Sequence, residues 1–130
     1  MKAHSHSLFS GFPLPEESQA EVAKLMADKE QVVAWMEGDL YTSLNFTRYL
    51  LLVSNTRILA NDQTGGSWQS FHFRNNLALQ RHDHAGVGSL ELYDGDSRLA
   101  CWRYTLAQNT AAQRIVSSFE QQLAAYIAGQ

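Results

Sequence analysis

A chain of 130 residues, 45% hydrophobic and 11% aromatic, holds enough apolar material for one packed domain and too much for a disordered polymer. Ten Lys and Arg against thirteen Asp and Glu leave a net charge of -3 with the basic residues scattered, which argues against a nucleic-acid partner or an anionic membrane surface. Cys101 is the single cysteine, so no internal disulfide can form, and a reducing cytoplasm is the expected compartment.

Residues 1–15 read as a flexible N-terminal arm, because Pro13 and Pro15 disfavour helix around Leu14. The opening MKAHSHSLFSGF lacks the apolar core of a secretory signal, and the longest run of large apolar residues, 49–53, is far too short to cross a bilayer. No direct membrane insertion is expected, and 16–130 is expected to form one domain. The spacing predicts a short helix over 16–29, acidic at its start, with Val22, Leu25 and Met26 as its buried stripe.

From Gln31 the period changes toward two. Over 31–40, Val32, Ala34 and Met36 fall on one side and Val33 and Trp35 on the other. Residues 46–53 and 57–60 are apolar enough for strands buried on at least one face, joined by the polar turn Ser54, Asn55, Thr56. A loop is expected over 61–66, then an alternating strand over 67–73 and a turn at Asn75 and Asn76, since Asn tolerates left-handed backbone. A strand over 77–82 leads to a glycine-bearing turn over 84–88, and 89–93 alternates again. Asp94-Gly95 is the strongest hairpin signal, because tight primed turns need positive φ.

The last strand, 98–104, is ambiguous in face: Leu99 and Cys101 compete with Ala100, Trp102 and Tyr104. Over 107–128 the period returns to 3.6, with Ala112, Ile115, Phe119, Leu123, Tyr126 and Ile127 as the apolar stripe. Thr105 with Gln108, or Thr110 with Gln113, offers a capping box at its start. The total is an α+β roll or barrel of about seven antiparallel strands, capped by a C-terminal amphipathic helix and preceded by a short N-terminal one.

Strand count and closing helix resemble a pleckstrin-homology-like (PH-like) domain, a strongly bent seven-stranded sheet capped by a helix. The segment LLLVSNTRIL is similar to the second and third strands of bacterial PH-like domains. A narrower resemblance covers Gln31 to about Ala125. Glu37-Gly38-Asp39-Leu40, Asn45-Phe46, Trp68-Gln69-Ser70, HDHAGVGSLEL (82–92) and LACWRYTL (99–106) look like the N-terminal extension of the cyanophycin metabolism-associated ABC transporter family. The resemblance implies membrane and ATP-binding domains as partners, the chain being either the excised extension or a stand-alone relative. No G-x-x-x-x-G-K-[ST] phosphate loop occurs in this sequence, so it is not expected to cradle ATP itself.

Four constellations invite chemistry. His82 and His84 would share a strand face, and with Asp83 or His72 they are weak candidates for a metal; the alternative is a strand end supporting a glycine turn. Cys101 shares a face with Arg103, but a thiol in such a strand is more often packing than nucleophile. Gly86-Val87-Gly88 precedes a strand rather than a helix, so it reads as a turn and not a phosphate cradle. Trp35, Trp68 and Trp102 read as barrel core rather than a stacking surface, with one of them open to exposure.

Phosphoinositide-binding PH domains place cations near the loop joining their first two strands. Here that region reads Glu37, Gly38, Asp39, Leu40, Tyr41, Thr42, Ser43, acidic where a phosphate would need positive charge. Protein contact is the remaining route, through the closing helix or by strand addition at an exposed sheet edge. Gln113, Ser117, Ser118, Gln121 and Gln122 form an uncharged outer side on the closing helix, which marks Gln113, Ser117, Gln121 and Gln122 as partner-binding candidates. The expectation is a non-catalytic cytoplasmic interaction or regulatory domain with no cofactor, probing its partner through that helix, with homo-oligomers also compatible. The alternatives are a stand-alone PH-like lipid- or peptide-binding module, and a metal- or small-ligand-binding protein using His82 and His84.

Overall fold

The computed structural model describes residue 14 and residues 16–38, 49–62 and 67–129. Within them the chain runs α1 (Glu16–Leu25), β1 (Val32–Gly38), β2 (Tyr49–Ser54), β3 (Arg57–Asp62), β4 (Trp68–His72), β5 (Leu77–His84), β6 (Val87–Asp94), β7 (Ser97–Thr105) and α2 (Asn109–Ala128). The strands form two antiparallel sheets, ordered β1-β2-β3-β4 and β5-β6-β7, an α+β arrangement closed by a C-terminal helix. α2 packs on β1, β2 and β5 and so touches both sheets.

The unbroken apolar run of β2 has a direct cause. Leu51 and Val53 enter the main core, between the sheets and α2, with Ile58, Leu90, Leu92, Trp102 and Phe119. Leu50 and Leu52 point the other way, into a second cluster with Leu14, Val22, Val32 and Leu59 beneath α1. Both faces of β2 are therefore dry, and all six of its residues are buried. Each such side chain contributes roughly 1.5–3 kcal/mol relative to exposure. β6 shows the one-sided pattern instead: Leu90 and Leu92 are buried, while Ser89, Glu91 and Tyr93 are half-exposed.

α2 lies on the core through Ala112, Ile115 and Phe119. The Phe73 ring meets Phe119 edge-on at 5.5 Å and Tyr126 at 5.8 Å, which pins the helix to the chain leaving β4. Two tyrosines pack on glycines of neighbouring strands. Tyr49 stands opposite Gly38 and Tyr104 opposite Gly88, and each ring lies where a Cβ on its glycine would be. Any side chain at Gly38 or Gly88 would displace an aromatic ring. The Tyr49 hydroxyl donates to the Arg103 carbonyl at 2.7 Å and so joins the two sheets.

Several elements differ from the sequence expectation. The first helix ends at Leu25 rather than Lys29; Lys29 has φ of 67°, and the Glu30 carboxylate accepts from the Ala27 N–H at 2.9 Å, turning the chain into β1. A bulge between Val32 and Ala34 sends Val32 to the α1 side while Ala34 and Met36 enter the main core, so these three do not share a face. β3 continues through Asp62, into the segment expected to be loop. β5 reaches His84, and its turn contracts to Ala85 and Gly86, with φ of 52° and 82°, the positive pair a tight primed hairpin requires. The next hairpin turns on Gly95 and Asp96, one residue later than the Asp94-Gly95 signal. Neither capping box forms: Thr105 opens a short 3₁₀ turn over Leu106–Gln108, Gln108 is the N-cap of α2, and neither side chain caps the helix. Leu14, expected in a flexible arm, is buried, and its carbonyl accepts from Gln19 Nε2 at 2.8 Å. The remainder of that arm, the strand start over 46–48 and the acidic loop from Asp39 to Ser43 lie outside the described residues.

Candidate functional site

Three polar places stand out on this scaffold. The first is structural in character. The Glu30 carboxylate, 3% exposed, accepts from Ser54 Oγ at 2.6 Å, Thr56 Oγ1 at 2.9 Å and Arg57 Nε at 2.8 Å, besides the Ala27 N–H. Arg57 also donates to the Leu25 carbonyl at the end of α1 and to Ser70 on β4. Burial opposes the charge on Glu30, yet the Arg57, Ala27, Ser54 and Thr56 bonds outweigh it and hold the carboxyl down to about 2. A single ion pair thus ties α1, the β2–β3 turn and β4 together. Its role is to stop α1 and fix the first hairpin. The sequence offered only one sign of it, the polar turn SNTR between two apolar strands; Glu30 carried no local signal.

The second place is the exposed side of α2. Gln113, Ser117 and Gln121 are exposed, with Ala124 and Ala128 continuing the same line; Ser118 and Gln122 are half-buried at its margin. Arg114 and Glu120 are exposed too and border the line on either side, so the helix is neutral along its outer centre and charged at its flanks. Gln122 is therefore the least accessible of the four residues the sequence marks.

The third place is a hollow of about 480 Å³ on the outer face of the second sheet, lined by His82, His84, Ala85, Val87, Ser89, Glu91 and Arg103. Cross-strand register builds it. His82 pairs with Ser89, which pairs with Arg103; one step along, Gln80, Glu91 and Cys101 form the next row. His82 and His84 share this face as expected. His72 lies on β4 of the other sheet and does not join them, and no group of three His, Cys, Asp or Glu side chains among the described residues is placed to hold a metal ion.

The charges in the hollow are unequally partnered. Glu91 accepts from the Tyr93 hydroxyl at 2.8 Å, with Arg98 at 3.5 Å and His82 Nε2 at 3.7 Å. That hydrogen bond to Glu91 raises the Tyr93 pKa. Arg103 Nε is buried and has no hydrogen-bond partner among the described residues. Cys101 is half-buried beside Glu91, on the same outer face as Arg103. Sequence reading named the histidines but missed Ser89 and Glu91, and met Arg103 only as a neighbour of Cys101.

The remaining motifs settle into structure. Gly86 is the hairpin turn, and Gly88 is the flat surface under Tyr104. Trp102 is buried, and Trp35 and Trp68 are half-buried against the second cluster, where Trp68 Nε1 donates to Glu21. Among the described residues no helix is long and apolar enough to cross a membrane. The described residues define an α+β fold of two antiparallel sheets closed by a helix. Comparison with known proteins finds no matching family model, no matching curated protein and no matching solved structure.

Proposed function

We propose that this chain is a non-catalytic cytoplasmic interaction domain with a PH-like roll, the N-terminal part of a bacterial ABC exporter-like protein linked to cyanophycin metabolism. The observation that carries the interaction reading is the outer line of α2. Gln113, Ser117 and Gln121 stand exposed with no charge among them, opposite the buried Ala112, Ile115 and Phe119. Removing neutral polar groups from water costs less than removing charges, and interface cores are depleted in charged residues. The partner is the membrane and ATP-binding part of the transporter, reached through Gln113, Ser117, Gln121 and, at the margin, Gln122. The PH-like assignment draws support from four strands followed by three, with the helix lying against β1, β2 and β5.

The test is recovery of the transporter's remaining domains by the wild-type chain and by a Gln113→Glu/Gln121→Glu variant with an unchanged circular-dichroism melt. Lower recovery by the variant supports the surface. Equal recovery moves the surface elsewhere, and no recovery by either chain counts against the transporter.

A second reading, a stand-alone module that binds an extended peptide, is favoured by one observation. Among the described residues β5 is an edge strand of its sheet and pairs only with β6, so its other edge offers backbone groups for strand addition beside α2.

A further inference from the structure

We propose that the hollow on the outer face of the second sheet binds a small organic monocarboxylate, held by Arg103. This site is separate from the α2 surface and stands whether or not a transporter is the partner.

Two charged side chains line the hollow, Glu91 and Arg103. Glu91 is already engaged by Tyr93, Arg98 and His82. Arg103 has a buried Nε with no acceptor among the described residues. That Nε is closed to solvent, so the hollow meets the rest of the guanidinium, for which no carboxylate partner occurs among the described residues. The unmet demand in the hollow is therefore for an anion.

The neighbours define which anion. Guanidinium presents a planar fork that matches the two oxygens of a carboxylate or the oxygens of a phosphate. Glu91 sits in the same hollow, and its repulsion grows with the charge of the ligand. A monoanion is therefore preferred to a phosphate dianion. Ser89 stands between His82 and Arg103 in one cross-strand row and supplies a hydroxyl beside the guanidinium. Ala85 and Val87 give the hollow an apolar end for a short carbon skeleton. A volume of about 480 Å³ lies within the range of pockets that hold small molecules. The same guanidinium opposes a divalent cation at His82 and His84, so the histidines serve here as hydrogen-bonding walls rather than metal ligands.

The experiment uses the full chain with isotope-labelled histidine and arginine. The His82, His84 and Arg103 side-chain resonances are followed while sodium acetate, sodium lactate or inorganic phosphate is added at constant ionic strength against chloride. Acetate and lactate are expected to give saturable shifts at all three residues, tighter than phosphate. Arg103→Gln is expected to weaken binding by about tenfold or more, the effect of losing a hydrogen bond to a charged group. Ser89→Leu fills the hollow from an outward-facing position and is expected to abolish the shifts; it decides the matter if Arg103→Gln does not fold. Shifts that do not saturate, phosphate binding tighter than either carboxylate, or binding unchanged in Arg103→Gln or Ser89→Leu would each overturn the proposal.

Discussion

The two sheets solve the same problem in opposite ways. The first is covered on both sides: α1 and the Leu50, Leu52, Leu59 cluster lie on one face of β2, and the main core lies on the other. Among the described residues the second is covered on one side only, with Leu90, Leu92, Trp102 and Tyr104 inward and His82, Ser89, Glu91 and Arg103 outward. Their ion pairs follow the same division. Glu30–Arg57 is almost wholly enclosed, whereas Arg74–Asp94, at the end of the second sheet, is open to water. The difference teaches where each sheet can carry function. A sheet dry on both faces has only its edges and loops to offer, while a one-sided sheet presents a row of side chains every second residue.

The sharpest test of this division is the helix that bridges both sheets. Phe119→Ala is expected to cost about 3–5 kcal/mol, the usual penalty for truncating a buried phenylalanine. Urea unfolding reads it directly. An unchanged midpoint would mean that α2 does not seal the core between the sheets.

The enclosed ion pair gives the next largest effect. Arg57→Met leaves the Glu30 carboxylate buried without its cation, and a loss of about 3 kcal/mol at neutral pH is expected. Acid should produce a related loss in the wild type. Glu30 has its folded pKa depressed from 4.5 to about 2. Its contribution is therefore fully present above the unfolded value and is lost as pH falls through the interval down to the folded one. The decline amounts to about 3 kcal/mol. Glu30→Gln should flatten that acid limb; a Glu30→Gln protein with the wild-type slope in the same interval would assign acid sensitivity to other carboxylates.

The open ion pair supplies the contrast. Arg74 donates to Asp94 at 2.8 Å through Nε, yet its side chain is 52% exposed. Arg74→Ala is expected to shift stability by less than about 1 kcal/mol, and raised salt should shrink even that. A loss comparable to that of Arg57→Met would erase the distinction between the two sheets.

Much of this molecule was legible from residue order. Period two against period 3.6 located seven strands and the closing helix, since alternation and helical stripes are properties of neighbours along the chain. The run YLLLVS announced a strand buried on at least one face, and Gln113, Ser117 and Gln121 were recognisable as the outer side of α2 from spacing alone. What only the tertiary structure decided were features set by partners far away in sequence. α1 stops at Leu25 because Arg57, 32 residues on, donates to the Leu25 carbonyl and draws in Glu30. The face of β7 was settled by a bulge. Leu92 pairs with Ala100 but Tyr93 with Arg98, so Leu99 is left over and stays exposed. That one extra residue turns Trp102 and Tyr104 inward and Cys101 and Arg103 outward, because a one-residue slip reverses every side chain beyond it. The row of His82, Ser89 and Arg103 exists only through that slip, and no local pattern in the sequence encodes it.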